Sequence, residues 1–152
     1  MSSPLYVRAV TTVRDLTPAD AEALTALYRD YEWWADRDAE DVRRALAGTA
    51  VAVGVEADGE LVAAARVLTD CTYYAKIYDV IVAADRRGEG HGGRLMEAVR
   101  EHPDLRSVDG LALGCREGLV EFYESVGFER FDREMEVPEG GTEKLVRMTC
   151  ER

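Results

Sequence analysis

Apolar residues recur along this chain with two periods, every second residue in some stretches and every third or fourth in others, and the switches between them mark out its elements. Tyr6 to Arg14 alternates and predicts an opening strand. Thr17, Pro18 and Asp20 then have capping-box spacing, with Asp in place of the usual Glu and proline suited to the first helical position. A helix is expected from there to about Arg29, burying Leu24, Leu27 and Tyr28, with Tyr31 a further candidate. A second helix, from about Asp38 to Gly48, gathers Val42, Ala45 and Leu46 on one side. Strands from Ala50 to Ala57 and from Glu60 to Thr69 are joined by Asp58-Gly59, a strong hairpin turn, and a strand from Tyr73 to Val82 extends the antiparallel meander. Later, Leu95, Met96 and Val99 share a helix face, and His102-Pro103-Asp104 ends that pattern. Leu111 to Gly114 reads as a strand and Gly118 to Val126 as a helix. A closing hairpin is expected from Phe131 to Val137 and Lys144 to Cys150, with PEGGTE as its connection and Val146, Met148 and Cys150 alternating inward.

The chemistry concentrates between Ile77 and Val99, in IYDVIVAADRRGEGHGGRLMEAV. A short apolar strand runs into Arg86 and Arg87, then into glycines at 88, 90, 92 and 93, then into a helix. Glycines so spaced keep side chains away from an approaching phosphate and allow turns that aim successive N–H groups at one point. The helix adds the positive end of its dipole. The stretch therefore predicts a pocket for a diphosphate or similar polyanion. Spacing separates the known anion loops. A nucleotide-hydrolase loop needs Lys and Ser or Thr where Arg94 and Leu95 stand. The dinucleotide pattern G-x-G-x-x-G is present as Gly88, Gly90 and Gly93, but Ala83 to Arg87 separate it from the strand, and too little chain follows for the remaining strands. The third pattern is R-x-x-G-x-G, carried by Arg87, Gly90 and Gly92 behind a strand end at Val80 and Val82.

Composition narrows the function classes. The 152 residues, 47% hydrophobic and 32% charged, suit one globular domain across the whole chain, and no repeat or linker divides it. No apolar run reaches membrane-spanning length and MSSPLYVR lacks a secretory apolar core, so a cytoplasmic protein with no membrane partner is expected. Cys71, Cys115 and Cys150 are odd in number and far apart, which favours reduced thiols. Neither His91 nor His102 has a partner at metal-ligand spacing, so no metal is expected. Thirty acidic against nineteen basic residues give a net charge of −11, which repels nucleic acid and favours a cationic substrate such as an amine.

The R-x-x-G-x-G loop resembles that of the GNAT superfamily of acyl-CoA-dependent N-acyltransferases, in which it grips the coenzyme A diphosphate. A second stretch, LALGCREGLVEFYESVGFER from Leu111, is similar to that superfamily's later segment: an apolar strand, a short loop, a helix containing F-Y-E, and a G-F pair. The resemblance implies an α+β fold with a twisted, mostly antiparallel sheet of about six or seven strands flanked by helices. It also implies a V-shaped split between the strands at Tyr73 to Val82 and Leu111 to Gly114, where the pantetheine arm enters.

The same resemblance implies the reaction and its residues. An acetyl group would pass from acetyl-CoA to a small-molecule or peptide amine by direct attack, with no covalent enzyme intermediate. Coenzyme contacts fall on Val80, Ile81, Val82, Arg87, Gly88, Gly90, Gly92 and Gly93, with a main-chain N–H near Val80 or Ile81 polarising the thioester. Tyr123, in F-Y-E, is the expected proton donor to the departing sulfur. Asp79 interrupts an apolar strand, where alternation groups it with Ile77 and Ile81. Partial burial would raise its pKa towards that of a useful base, while the alternative is an ion pair with Arg66. Tyr31, Trp33 and Trp34 bring aromatic faces to the region that borders the acceptor in this superfamily, with one tryptophan expected to pack and at most one to meet substrate. The superfamily often carries Asn where Arg116 stands here, which unsettles the usual hydrogen bonding at that corner. A non-enzymatic acyl-CoA sensor is the alternative reading, and homodimerisation is left open.

Overall fold

A computed structural model describes residues 10–152. The described residues form two compact units, one ending at Gly114 and the other starting at Cys115. In the first, β1 (Thr11–Asp15) leads through a 3-10 turn, Pro18–Asp20, started by the predicted capping box, into α1 (Ala21–Tyr28). The Thr17 side chain accepts from the Ala19 N–H, and the Asp20 carboxylate accepts from the Thr17 N–H at 2.8 Å. Arg14 ties this corner to the sheet, reaching Asp20 and Glu56 at 2.7 Å each. Helix α2 (Ala39–Ala47) is capped by Asp38, which accepts from the Asp41 N–H at 2.8 Å. The part of the predicted first strand from residue 6 to residue 9 lies outside the described residues.

Strands β2 (Val51–Ala57), β3 (Glu60–Thr69) and β4 (Ala75–Val82) form the predicted meander. Asp58 and Gly59 turn between β2 and β3 with φ of 53° and 81°, the left-handed pair that a two-residue hairpin turn requires. Helix α3 (His91–Arg100) crosses back to β5 (Ala112–Leu113), and the sheet runs β1-β2-β3-β4-β5. Every pairing is antiparallel except β4 with β5. The core consists of the β2 and β3 interior with Leu24, Leu27 and Tyr28 of α1, Val42 and Leu46 of α2, and Leu95, Met96 and Val99 of α3. The row Val62, Ala63, Ala64, Ala65 is buried throughout, and its small residues let helices approach the sheet closely.

In the second unit, α4 (Val120–Ser125) is followed by a ribbon of β6 (Glu134–Glu136) and β7 (Thr142–Lys144). Among the described residues, a sheet of five strands and a separate pair stand where one sheet of about six or seven was expected. The ribbon also turns earlier than alternation predicts. Gly140 and Gly141 both take positive φ, and the Val137 N–H meets the Gly141 carbonyl at 3.1 Å, so the return strand starts at Thr142. Val146 and Met148, expected to face inward, are 67% and 88% exposed, and Cys150 is exposed with them.

Candidate active site

The β4 strand carries the main departure from simple alternation. Tyr78 lies opposite Arg66 and Ile81 opposite Ala64, so Asp79 and Val80 together face the single residue Ala65. This is a β-bulge, and Asp79 occupies it with φ of 54°, a left-handed conformation that Asp tolerates better than most residues. The bulge puts Ile77 and Ile81 on opposite faces of the sheet, because their partners Val67 and Ala64 are three residues apart on β3. Asp79 is therefore not grouped with both of them, as strict alternation had it.

The bulge also marks where the sheet opens. β5 pairs with β4 only at Lys76 and Ile77, while β4 continues to Val82. The Ala83 N–H donates to the Val62 carbonyl at 2.7 Å, which fixes the alternation of the ladder at its end. Ile81 consequently turns its backbone groups towards β3, and Val82 turns its own towards the open edge.

Beyond β4, the chain passes through a single 3-10 turn, Ala84–Arg86, into the glycine loop. Gly88 and Gly90 have φ of 80° and 85°, and Gly90 caps α3. Gly92 and Gly93, expected in the loop, lie in the first turn of α3. Glycine inside a helix costs about 1 kcal/mol relative to alanine, so two together favour an approach to the backbone that side chains would obstruct. At Gly88 and Gly90 the positive φ itself calls for glycine, whereas a Cβ at Gly93 would meet nothing within 4 Å, so no neighbour explains its smallness. The loop thus offers first-turn N–H groups, a helix dipole and Arg87, which has no carboxylate partner among the described residues. That donor set suits a diphosphate. The neighbouring Arg86 is paired with Glu89 at 3.5 Å. His91 is buried at the start of α3, with its Nε2 3.1 Å from Glu89 and its Nδ1 without a hydrogen-bond partner among the described residues.

Asp79 is held by two guanidiniums. Arg66 Nη2 reaches Asp79 Oδ2 at 2.8 Å and Arg37 Nη1 reaches the same oxygen at 2.9 Å. Burial alone would raise the Asp79 carboxyl, but the hydrogen bonds and charges of Arg37 and Arg66 outweigh it, and the group is held below its ordinary range. The expectation of a raised pKa therefore has the wrong sign. The ion pair with Arg66 is present, and Arg37 joins it as a participant missed in the sequence. Its available signal was position: it follows the aromatic run, and its guanidinium lies 4.8 Å from the Tyr28 ring centroid and 5.6 Å from that of Trp34. A cavity of about 280 Å³ opens beside this cluster, lined by Tyr28, Arg37, Asp41, Val42, Ala45 and Arg66.

The three aromatics separate by role. Trp34 packs on Tyr28 with ring centroids 5.4 Å apart, whereas Trp33 is 61% exposed. Tyr31 touches both tryptophan rings, and its hydroxyl donates to the Val82 carbonyl at 2.5 Å and accepts from Arg87 Nη2 at 2.6 Å. It thereby joins the open end of β4 to the first residue of the R-x-x-G-x-G pattern.

In the second unit, Tyr123 is buried, with Phe122 and Phe128 at ring-centroid distances of 5.0 and 6.1 Å. The G-F pair closes α4 and opens no strand, since the next one starts only at Glu134. Gly127 takes φ of 101°, the Gly127 N–H bonds the Glu124 carbonyl at 3.2 Å, and the Phe128 N–H bonds the Tyr123 carbonyl at 3.0 Å. This is a Schellman closure, in which the residue after the glycine packs on the last full turn, here Phe128 on Tyr123. Burial, and secondarily the nearby Cys115, pushes the Tyr123 hydroxyl up to about 12, so it keeps its proton at neutral pH. Among the described residues, no three His, Cys, Asp or Glu side chains converge as a metal site would need, and no helix is long and apolar enough to cross a membrane.

Comparison with known proteins agrees with this geometry. The chain spans about a quarter of the length of a curated relative that it matches, the chloroplastic GCN5-related N-acetyltransferase 2 of Arabidopsis thaliana: 31% identity over 70 residues, 46% of this chain and 27% of that protein. Among solved structures, a GNAT-family acetyltransferase from Xanthomonas campestris pv. campestris matches at 30% identity and a TM-score of 0.65, covering 78% of this chain and 85% of its own. Glucosamine-6-phosphate N-acetyltransferase from Arabidopsis thaliana shares the fold at 20% identity and a TM-score of 0.66, over 84% of this chain and 97% of its own. The family described as Acetyltransferase (GNAT) domain matches residues 16–151, nearly all of the sequence that folds into the split sheet and glycine loop, and the chain belongs to that family.

Proposed function

We propose that the protein transfers the acetyl group of acetyl-CoA to a primary amine by direct attack. The observation that carries this reading is the junction of β4 and α3, where an outward-facing strand edge ends at a glycine-capped helix start beside Arg87, which has no carboxylate partner among the described residues. Gly88, Gly90 and the first turn of α3 would hold the diphosphate, and the backbone groups of Val80 and Val82 would hold the pantetheine arm. Because Ile81 turns its backbone into the ladder, the N–H expected to polarise the thioester is that of Val80.

The chemistry needs little more. The amine nitrogen attacks the thioester carbonyl carbon, the C–S bond breaks, and the departing sulfur takes a proton. Tyr123 is assigned as the donor, supported by the F-Y-E motif and by a hydroxyl that stays protonated. Asp79 is assigned a positioning role, since a carboxylate stabilised by two guanidiniums is a poor proton acceptor. The proton lost by the amine would go to water. Trp33 is assigned to the acceptor, because its exposed indole can take an ammonium against its face.

Thiol release from acetyl-CoA over a panel of amines, amino acids, polyamines and lysine peptides tests this reading. Turnover with at least one amine, giving the N-acetylated product, is the expected result. Coenzyme binding without turnover on any acceptor would point instead to an acyl-CoA sensor.

A further inference from the structure

The Tyr31 hydroxyl lies between two groups that the proposed function assigns to the coenzyme. It donates to the Val82 carbonyl at the open edge of β4 and accepts from Arg87 at 2.6 Å, with the guanidinium carbon 5.2 Å from the Tyr31 ring centroid. The ring is itself fixed by Trp33 and Trp34, at centroid distances of 5.3 and 5.8 Å. Arg87 is thus held by a neutral phenol, and among the described residues no carboxylate cancels its charge. The adjacent Arg86 shows the contrast, with its charge answered by Glu89.

We propose that Tyr31 is a positioning residue for the coenzyme, orienting the Arg87 guanidinium for the diphosphate, and that it does not contact the acceptor. This rests on the reading of the β4–α3 junction as the coenzyme site. A free arginine side chain loses much of its rotamer entropy when it is fixed on a ligand. A phenol that fixes it beforehand lowers that cost and, being uncharged, leaves the electrostatic attraction intact. A carboxylate in the same place would orient Arg87 equally well and cancel its charge. The hydroxyl retains both advantages, and its second hydrogen bond, to Val82, sets the orientation relative to the strand edge along which the pantetheine arm is expected to run.

Titration calorimetry with coenzyme A on the wild type, Tyr31→Phe, Arg87→Gln and the double variant tests this, alongside steady-state kinetics with acetyl-CoA and whichever amine the panel identifies. Tyr31→Phe keeps the ring and its tryptophan contacts and removes only the hydroxyl. It should weaken coenzyme A binding about three- to tenfold, the range of one ordinary solvent-exposed hydrogen bond. The KM for acetyl-CoA should rise with it, while kcat and the acceptor KM stay near wild type. In the Arg87→Gln background the same change should have no further effect, a non-additivity that a merely structural role would not produce. Wild-type binding with unaltered affinity in Tyr31→Phe would overturn the inference alone, as would a change confined to the acceptor KM. Tighter binding in Tyr31→Phe would also overturn it, since the hydroxyl would then be competing with the coenzyme for Val82. A wild type that binds no coenzyme A would overturn both the inference and the reading beneath it.

Discussion

Tyr123, which is buried, and Asp79, which is part-buried, are oxygen acids whose surroundings push them in opposite directions. Burial without a cation drives Tyr123 up to about 12, whereas the guanidiniums of Arg37 and Arg66 drive Asp79 down. Tyr123→Phe should therefore lower kcat about a hundredfold, with little change in the KM for acetyl-CoA, the pattern of a group that acts in the transition state. An unchanged kcat would remove Tyr123 from the reaction. For Asp79, a pKa lower in the folded than in the unfolded state means that the unfolded chain binds the proton more readily. Its stabilising contribution is then full above the ordinary carboxylate range, near pH 4, and is lost as pH falls through the lowered folded value. Asp79→Asn should cost about 2 kcal/mol at neutral pH, because it leaves two part-buried guanidiniums without their carboxylate. Melting curves of the two proteins should converge as pH falls below about 4. A constant gap across that range would contradict the ion-pair account.

Among the elements, the loop-to-α3 junction carries the coenzyme assignment. Gly90 caps α3 with φ of 85°, so Gly90→Ala should cost about 1 kcal/mol of stability, measured by denaturant unfolding, and should weaken coenzyme A binding as well. Retained affinity would show that the loop backbone is not the diphosphate cradle. Elements set by neighbouring chemistry were legible in the sequence: the Thr17–Asp20 capping box, the Asp58-Gly59 turn and the buried face of Leu95, Met96 and Val99. Features set across long sequence separations were not. The bulge at Asp79 depends on how β3 and β4 register, and alternation along one strand carries no mark of a residue that its partner strand skips. Arg37, 42 residues from Asp79, reads as one charge among several in ADRDAED. The closing ribbon was misplaced because Val146, Met148 and Cys150 do alternate, yet the turn at Gly140 and Gly141 brings the chain back before reaching them. For the site, the glycines, Arg87 and the aromatic run were legible as residue types. That Tyr31 meets Arg87 was not, since 56 residues separate them.

At the scale of the whole molecule, the net charge of −11 bears on the acceptor. An acidic protein concentrates cations near its surface, and salt screens that field within about 10 Å at 0.1 M. If the acceptor is an ammonium-bearing molecule, its KM should rise several-fold between low and high ionic strength while kcat changes little. A KM independent of salt would indicate that the field plays no part in acceptor choice. The coenzyme assignment does not depend on that field, because it rests on local donors. Its most direct test is a crystal structure with acetyl-CoA bound. The account predicts the diphosphate on the amides from Gly88 into the first turn of α3, within reach of Arg87, and the pantetheine arm along the β4 edge at Val80 and Val82. A diphosphate bound elsewhere, or a pantetheine arm that leaves that edge unpaired, would contradict it.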